Sequence, residues 1–250
     1  MTDAVGIDSQ SWADLFEEEG LTGTFVLYDP ISGRWRFHNH ERAEISYTPA
    51  STFKIFNSLM GLEAEAVSSD TVMLKWDGRR RSYSKWNQDH NMKSAFKYSC
   101  VWYYQEIARR VGKDVMQEWL YKCSYGNATI GDEVDQFWLD GSLKTSAIEQ
   151  IQFLYLLEGF KLPFSRKVQE NVHELMLREE GEGWYLYGKT GWGLRDNQLD
   201  IGWFVGFIHS GNETRIFAIN LDIVKNDDAH HRIDLTRKIL KLEGLMFGAE

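Results

Sequence analysis

Cysteine is scarce in this chain: Cys100 and Cys123 are the only two in 250 residues. Neither belongs to a Cys-x-x-Cys pair or lies at zinc-ligand spacing from a histidine, so the paired-cysteine metal and redox patterns are excluded. Two buried free thiols are the plainer reading, and a Cys100–Cys123 bridge stays open at this level. Long hydrophobic runs are missing as well. The longest nearly unbroken one, "IGWFVGFI" at 201–208, falls far short of the ~20 residues a membrane helix requires, and no membrane partner is expected. Positive charge is in the minority, with 28 Lys and Arg against 37 Asp and Glu and a formal charge of −9. No basic block could track a phosphate backbone, so nucleic acid is not an expected partner. The pairs His38/His40 and His230/His231 have no third ligand at a recognisable spacing; no metal site is expected, and all four read as surface or loop residues. The opening, "MTDAVGIDSQSW", has neither the charged nor the apolar region of a secretory signal. That leaves a cytosolic protein, or a mature form in which Met1 replaces a leader.

What the chain does contain is core-forming material: 43% hydrophobic and 14% aromatic residues, enough for one large domain or two interleaved lobes. A first helix is expected from Ser11, with Trp12, Leu15 and Phe16 on its apolar face and Gly20 as its stop. "GTFVLYD" (23–29) and "RWRFHNH" (34–40) flank the turn "PISG" and read as a hairpin. Helical patterning then dominates from about 48 to 178. Within it, "SAFKYSCVWYYQEIARRVGK" aligns Val101, Tyr104, Ala108 and Val111 and stops at Gly112; Ser146 and Glu149 form a capping box ahead of "IQFLYLLEG"; and "SRKVQENVHELML" carries Val168, Val172, Leu175 and Met176 at helical spacing. Strand character returns in 184–192, 199–209 and 214–223, and "DLTRKILKLEGL" closes the chain as a helix. The expected fold is α/β of the α+β type. It has a five-stranded antiparallel sheet built from both chain ends, flanked by helices, with a mainly helical lobe inserted. Residues 1–250 are expected to form one catalytic domain, its sheet lobe at about 1–50 and 180–250 and its helical lobe at about 51–179.

Two short motifs could carry chemistry. Ser51-Thr52-Phe53-Lys54 fits S-x-x-K, whose spacing sets a hydroxyl and an amine one helical turn apart, as a nucleophile and its base require. Free N–H groups at a helix start could also stabilise an oxyanion. Alone, the pattern equally describes a capping serine and a lysine that snorkels to solvent. "GKTG" at 188–191 sits in strand pattern, where its glycines allow close approach and Lys189 and Thr190 could hold an anion; an edge turn is the plainer reading. Found together and in order, S-x-x-K and K-T-G mark penicillin-binding proteins and serine β-lactamases. The class A pattern then fails, since neither Ser-Asp-Asn nor Glu-x-x-Leu-Asn occurs.

Between the two motifs stand Ser99-Cys100-Val101, Tyr125-Gly126-Asn127 and Trp138 within "QFWLDGSLKTSAIEQ" (136–150). With these the sequence resembles the class D, oxacillinase-type serine β-lactamases, whose marks are S-x-x-K, S-x-V, Y-G-N, a loop tryptophan and K-T-G. The likeness runs from about residue 25 to about 245. It implies hydrolysis of β-lactams, hence antibiotic resistance, and a small-molecule partner. A β-lactam sensor domain, which acylates without turnover, is the alternative. The resemblance also implies a periplasmic or secreted mature form, and it sets no oligomeric state.

Carried over residue by residue, it makes Ser51 the acylated nucleophile and Lys54 the base, after carbamylation by CO2 or bicarbonate and with no separate cofactor. An apolar pocket, with Phe53, Val101 and Leu139 as candidate walls, would depress the Lys54 pKa and so favour that reaction, although plain core packing also explains Val101 and Leu139. Trp138 would offer the carbamate its indole N–H, though it could simply fill the core. Ser99 would relay protons near Lys189; its plain reading is a buried helix serine. Lys189, Thr190 and Arg232 would bind the substrate carboxylate, with Arg237 as the lesser candidate. Gly191 gives room beside the strand, and the backbone N–H groups of Ser51 and Trp192 would form the oxyanion hole. Tyr125-Gly126-Asn127 could be only a loop turn.

Overall fold

A computed structural model of the chain describes residues 6–193 and 200–247. Its elements, in order, are β1 (Gly6–Asp8), α1 (Gln10–Glu18), β2 (Gly23–Asp29), β3 (Arg34–His38), α2 (His40–Glu44), a 3₁₀ turn (Ala50–Phe53) and α3 (Lys54–Glu63). Then follow α4 (Met92–Lys97), α5 (Val101–Val111), α6 (Lys113–Lys122), α7 (Ala147–Glu158) and α8 (Arg166–Leu175). The chain returns to the sheet with β4 (Leu177–Gly181), β5 (Trp184–Gly193), β6 (Asp200–Ser210) and β7 (Glu213–Ile223), and ends in α9 (Asp228–Leu242).

The sheet has seven strands in the order β1-β3-β2-β7-β6-β5-β4, not the expected five, and it is mixed, because β1 runs parallel to β3. The five expected strands are all present. The two additions are edge strands of three and five residues, "GID" and "LREEG", with almost no buried side chain, so they carry no apolar alternation to read. At the β2–β3 turn, Asp29 Oδ1 accepts from the N–H groups of Ile31 and Ser32 at 2.9 and 3.3 Å, and Gly33 takes φ +71°. Strand β3 stops at His38 because Asn39 turns to φ +57° and caps α2, its side chain accepting from Arg42 N. His38 therefore lies in a strand, His40 opens a helix, and His230 and His231 sit in α9, so none of the four is a loop residue. Leu199, expected to begin β6, lies outside the described residues.

Both faces of the sheet are covered. Toward α1 and α9, Trp12, Phe16, Phe25, Phe204, Phe217 and Ile239 make one core. On the other face Val26, Trp203, Val205 and Phe207 join the helical segments around Phe53, Phe56, Tyr125, Phe137 and Phe153. Burial on both sides explains why "IGWFVGFI" reads as a continuous apolar run. Gly188 and Gly206 face each other across β5 and β6, and a Cβ at Gly206 would collide with the Tyr187 carbonyl oxygen.

In the helical part the expected single helix over 94–113 is two, α4 and α5, broken at Tyr98–Cys100, with Ser99 at φ +54°. Ser99 is thus a junction residue, not a helix serine. The capping box at Ser146 and Glu149 forms as expected, with both reciprocal bonds present. Helix α9 begins six residues before the expected Asp234, because the Asp228 carboxylate accepts from the N–H groups of Val224 and Lys225 at 2.9 and 2.8 Å. Replacing Gly206 with alanine should destabilise the protein by roughly 2–3 kcal/mol through this backbone clash, measured as a lower urea midpoint at unchanged slope; an unchanged midpoint contradicts the close β5–β6 packing.

Candidate active site

The site forms where β5 meets the start of α3. Gly191 allows that approach: a Cβ there would stand 2.8 Å from the Pro49 carbonyl oxygen and 3.3 Å from Thr52 N. On the other side of the junction the 3₁₀ turn is braced from within. Thr52 Oγ1 donates to Pro49 O at 2.7 Å, Gln150 Nε2 donates to Thr52 Oγ1 at 3.0 Å, and Ala50 N donates to Trp138 O at 3.1 Å. Ala50 takes φ +48°, a conformation that a residue with a Cβ seldom adopts. Ser51 follows it, half-buried between the fully buried Ala50 and Thr52.

Lys54 donates to Ser51 Oγ at 2.8 Å. Its side chain is fully buried, with the amine 5.4 Å from the Tyr104 ring centroid and no carboxylate partner among the described residues. Burial pulls its pKa down to about 7, with Cys100 acting in the opposite direction. Phe53 stacks on Trp138 at a centroid distance of 5.4 Å, and Trp138 Nε1 is buried without a hydrogen-bond partner. A buried N–H left unmet costs on the order of 1–3 kcal/mol. This orphaned donor, on the ring that stacks on Phe53, the residue before Lys54, would suit an acceptor group carried on the end of Lys54, such as a carbamate. Leu139 is half-buried against the same core, and Val101, half-buried, opens α5.

The left-handed turn at Ser99 aims its hydroxyl at β5, where Lys189 Nζ donates to Ser99 Oγ and to Thr190 O, both at 2.9 Å. Lys189 is buried, and its pKa lies well below the ordinary lysine value, through desolvation first and then repulsion from Lys54, Arg178 and Arg232.

Tyr125-Gly126-Asn127 is more than a turn. Gly126, at φ +53°, abuts the Lys144 carbonyl, which leaves no room for a Cβ. Asn127 Nδ2 donates to Ser142 O at 2.9 Å, and its Oδ1 accepts from Lys144 N at 3.0 Å. These bonds clamp the end of the loop that carries Trp138. Sequence reasoning gave Asn127 no role, because only the fold brings 127 against 142–144.

Thr190 and Trp192 pair with Phe204 and Gly202 on the α9 face of the sheet. Gly202 has no side chain, and Arg232 uses that space, its Nη1 3.6 Å from where a Cβ would stand. Its Nε and Nη1 have no partners among the described residues, and burial, then Arg178, lowers its pKa to about 10. The competing Arg237 is already occupied, bonded to Glu179 at 3.0 and 2.8 Å and to Asp234 at 3.3 Å. The Trp192 indole is 39% exposed and donates to Asp200 at 2.8 Å. Arg178, which no motif announced, stands over the Phe204 ring at 5.4 Å. Both cysteines are free and buried.

The burial of Lys54 ties the stability of the fold to pH. From pH 7 to 10.5 the unfolded chain holds a proton on this lysine that the folded chain lacks, so the burial penalty fades and stability rises with pH across that window. Lys54→Met should stabilise the fold by on the order of 1–3 kcal/mol at pH 7 and lose this rise. Chemical denaturation in CO2-free buffer at several pH values measures both, and a destabilised variant would refute the assignment.

Residues 23–241 match the penicillin binding protein transpeptidase domain family. The probable β-lactamase YbxI of Bacillus subtilis is 42% identical over 92% of this chain and 84% of its own length. β-Lactamase OXA-48 of Klebsiella pneumoniae is 38% identical over 96% and 90%. The crystal structure of FUS-1 (OXA-85), a class D β-lactamase from Fusobacterium nucleatum, superposes with a TM-score of 0.94 at 41% identity, covering 96% of this chain and all of that one. With Ser51 and Lys54 one turn apart, Lys189 bonded to Ser99, and relatives of this closeness over nearly the whole chain, the chain belongs to the class D serine β-lactamases.

Proposed function

We propose that the protein hydrolyses the amide bond of β-lactam antibiotics through an acyl-enzyme on Ser51, and so confers resistance to them as a periplasmic or secreted enzyme. The whole chain acts as one catalytic domain of two interleaved lobes. The observation that carries this reading is Lys54: fully buried, without an acid partner, and 2.8 Å from the Ser51 hydroxyl. Lys54 takes the Ser51 proton, Ser51 Oγ bonds to the ring carbonyl carbon, and the C–N bond breaks as Ser99 passes a proton to the departing nitrogen. Ser51 and Trp192 would present their backbone N–H groups to the oxyanion; Gly191 keeps the strand open, and Thr190, Lys189 and Arg232 hold the substrate carboxylate. Water then releases the acyl group from Ser51.

The residues also fit carbamylation by CO2 or bicarbonate. When present, the carbamate supplies a carboxylate-like base in place of an amine. Trp138 Nε1–H would hold it, and Phe53, Val101 and Leu139 would shield it from water. Either form requires Lys54 to lose its proton first. Turnover should therefore fall as pH drops through about 7, approaching tenfold per unit below it.

Intact mass after brief penicillin exposure, combined with turnover with and without bicarbonate, tests the reading. Rapid turnover that bicarbonate raises is expected; a lasting adduct would mark the sensor alternative, and no adduct with no turnover would remove both. Trp138→Ala should slow deacylation by at least about tenfold and accumulate acyl-enzyme, whereas wild-type turnover in that variant would remove its assigned role.

A further inference from the structure

A cavity of about 910 Å³ continues from Lys189 along the free side of β5, away from Trp192. Phe96, Tyr98, His173 and Tyr187 give it aromatic walls, and Lys97 and Arg178 give it charge. Lys97 makes no hydrogen bond or ion pair among the described residues. Two carboxylates also line the cavity: Glu174, and Glu179, whose two oxygens are both held by Arg237.

Arg178 owes its position to an irregularity of the sheet. Leu177 pairs with Tyr187 and Glu179 with the adjacent Leu186, so Arg178 is the extra residue of a β-bulge on the edge strand. Bulges re-aim side chains next to sites. This one sets the guanidinium over Phe204, the cross-strand neighbour of Thr190, and Glu179 comes no nearer to it than 3.6 Å. Arg232 lies by Gly202, one same-face position further along β6, with Nε and Nη1 unpartnered among the described residues, and the Glu179 carboxylate that makes the long ion pair with Arg178 is already bonded twice by Arg237. Repulsion from Arg178 also lowers the Arg232 pKa.

Building on the function proposed above, we infer that this cavity is a second anion subsite, in which Arg178 and Lys97 bind a negatively charged aromatic substituent on the leaving half of the substrate. The orientation follows from the chemistry. The oxyanion lies at Trp192 and the nitrogen departs toward Ser99 and Lys189, so the half carrying the nitrogen and its carboxylate lies at the Lys189 end, where the cavity opens. One carboxylate would fall to Thr190 and Arg232, and the second charge to Arg178. Arg178 is then a specificity-determining residue that acts on binding, not on the chemical step.

Calorimetry with benzoate and isophthalate, an aromatic monoanion and an aromatic dianion, tests this without turnover. Isophthalate should bind the wild-type protein at least about tenfold more tightly than benzoate. Arg178→Gln should bring that ratio close to one, and Arg178→Lys should restore part of it. No binding of either ligand, equal wild-type affinities, or a ratio unmoved by Arg178→Gln overturns the subsite. Kinetics supply a second readout: for cephalosporins with an anionic against a neutral aromatic group at the 3-position, the wild-type preference should appear in KM and vanish in Arg178→Gln. Because the binding arm needs no hydrolysis, an inactive protein that still discriminates the two ligands would sink the proposed function alone, and an active protein that does not would sink the subsite alone.

Discussion

An amine held away from water with no opposite charge beside it is the constraint around which this molecule is built. Lys54 is fully buried, its polar contact is a serine hydroxyl, and the Tyr104 ring lies 5.4 Å from its amine. Desolvation on that scale favours the neutral form, which is the form that can accept a proton or react with an electrophile. A carboxylate at hydrogen-bond distance would stabilise the fold and hold the ammonium, removing both properties. The absence of an acid partner is therefore as much a part of the site as the lysine itself.

The same logic extends outward along β5. Lys189 is buried and Arg232 half-buried, and neither has a carboxylate partner among the described residues, in a protein whose formal charge is −9. Surface carboxylates outnumber cations elsewhere, while the cleft edge concentrates positive charge in a low-dielectric wall, an arrangement that attracts a small anion to one place. Arg237 shows the contrast. It lies on the same helix as Arg232, yet Glu179 and Asp234 neutralise it. A guanidinium already satisfied in the empty protein gains little from a ligand carboxylate, whereas one left unpartnered gains much.

Much of this was legible in the sequence, for identifiable reasons. The five expected strands bury side chains on one or both faces, so their sequences record their positions; β1 and β4 are exposed edges and record almost nothing. Capping chemistry located α7, since Ser146 and Glu149 sit together in the chain. The break between α4 and α5 left no such trace. No glycine or proline marks it, and the left-handed turn falls on Ser99, whose stripe of apolar neighbours continues the helical pattern on both sides. The motifs named Ser51, Lys54, Ser99 and Lys189, which the fold brings into contact, whereas the difference between Arg232 and Arg237 depends on a carboxylate 58 residues away in sequence from Arg237. Arg178 could not be read at all, because its aim comes from a register shift between two strands, and a register shift is a property of the pairing, not of either strand alone.

Backbone strain completes the account. Ala50 precedes the nucleophile and Ser99 holds Lys189, and both take positive φ although both carry a Cβ. Conformations of this kind cost ~1–3 kcal/mol each and persist only where the surroundings over-determine them. Here they do. Ala50 is held by its N–H bond to Trp138 O and by Gly193 across the junction, Ser99 by the caps of two helices and the Lys189 bond. A glycine at either place would adopt the turn at lower cost, but it would remove the hydroxyl at 99, and at 50 it would loosen the residue before the nucleophile. The two aromatic cores on either side of the sheet provide the stability against which both strained turns, and the unpaired lysine between them, can be maintained.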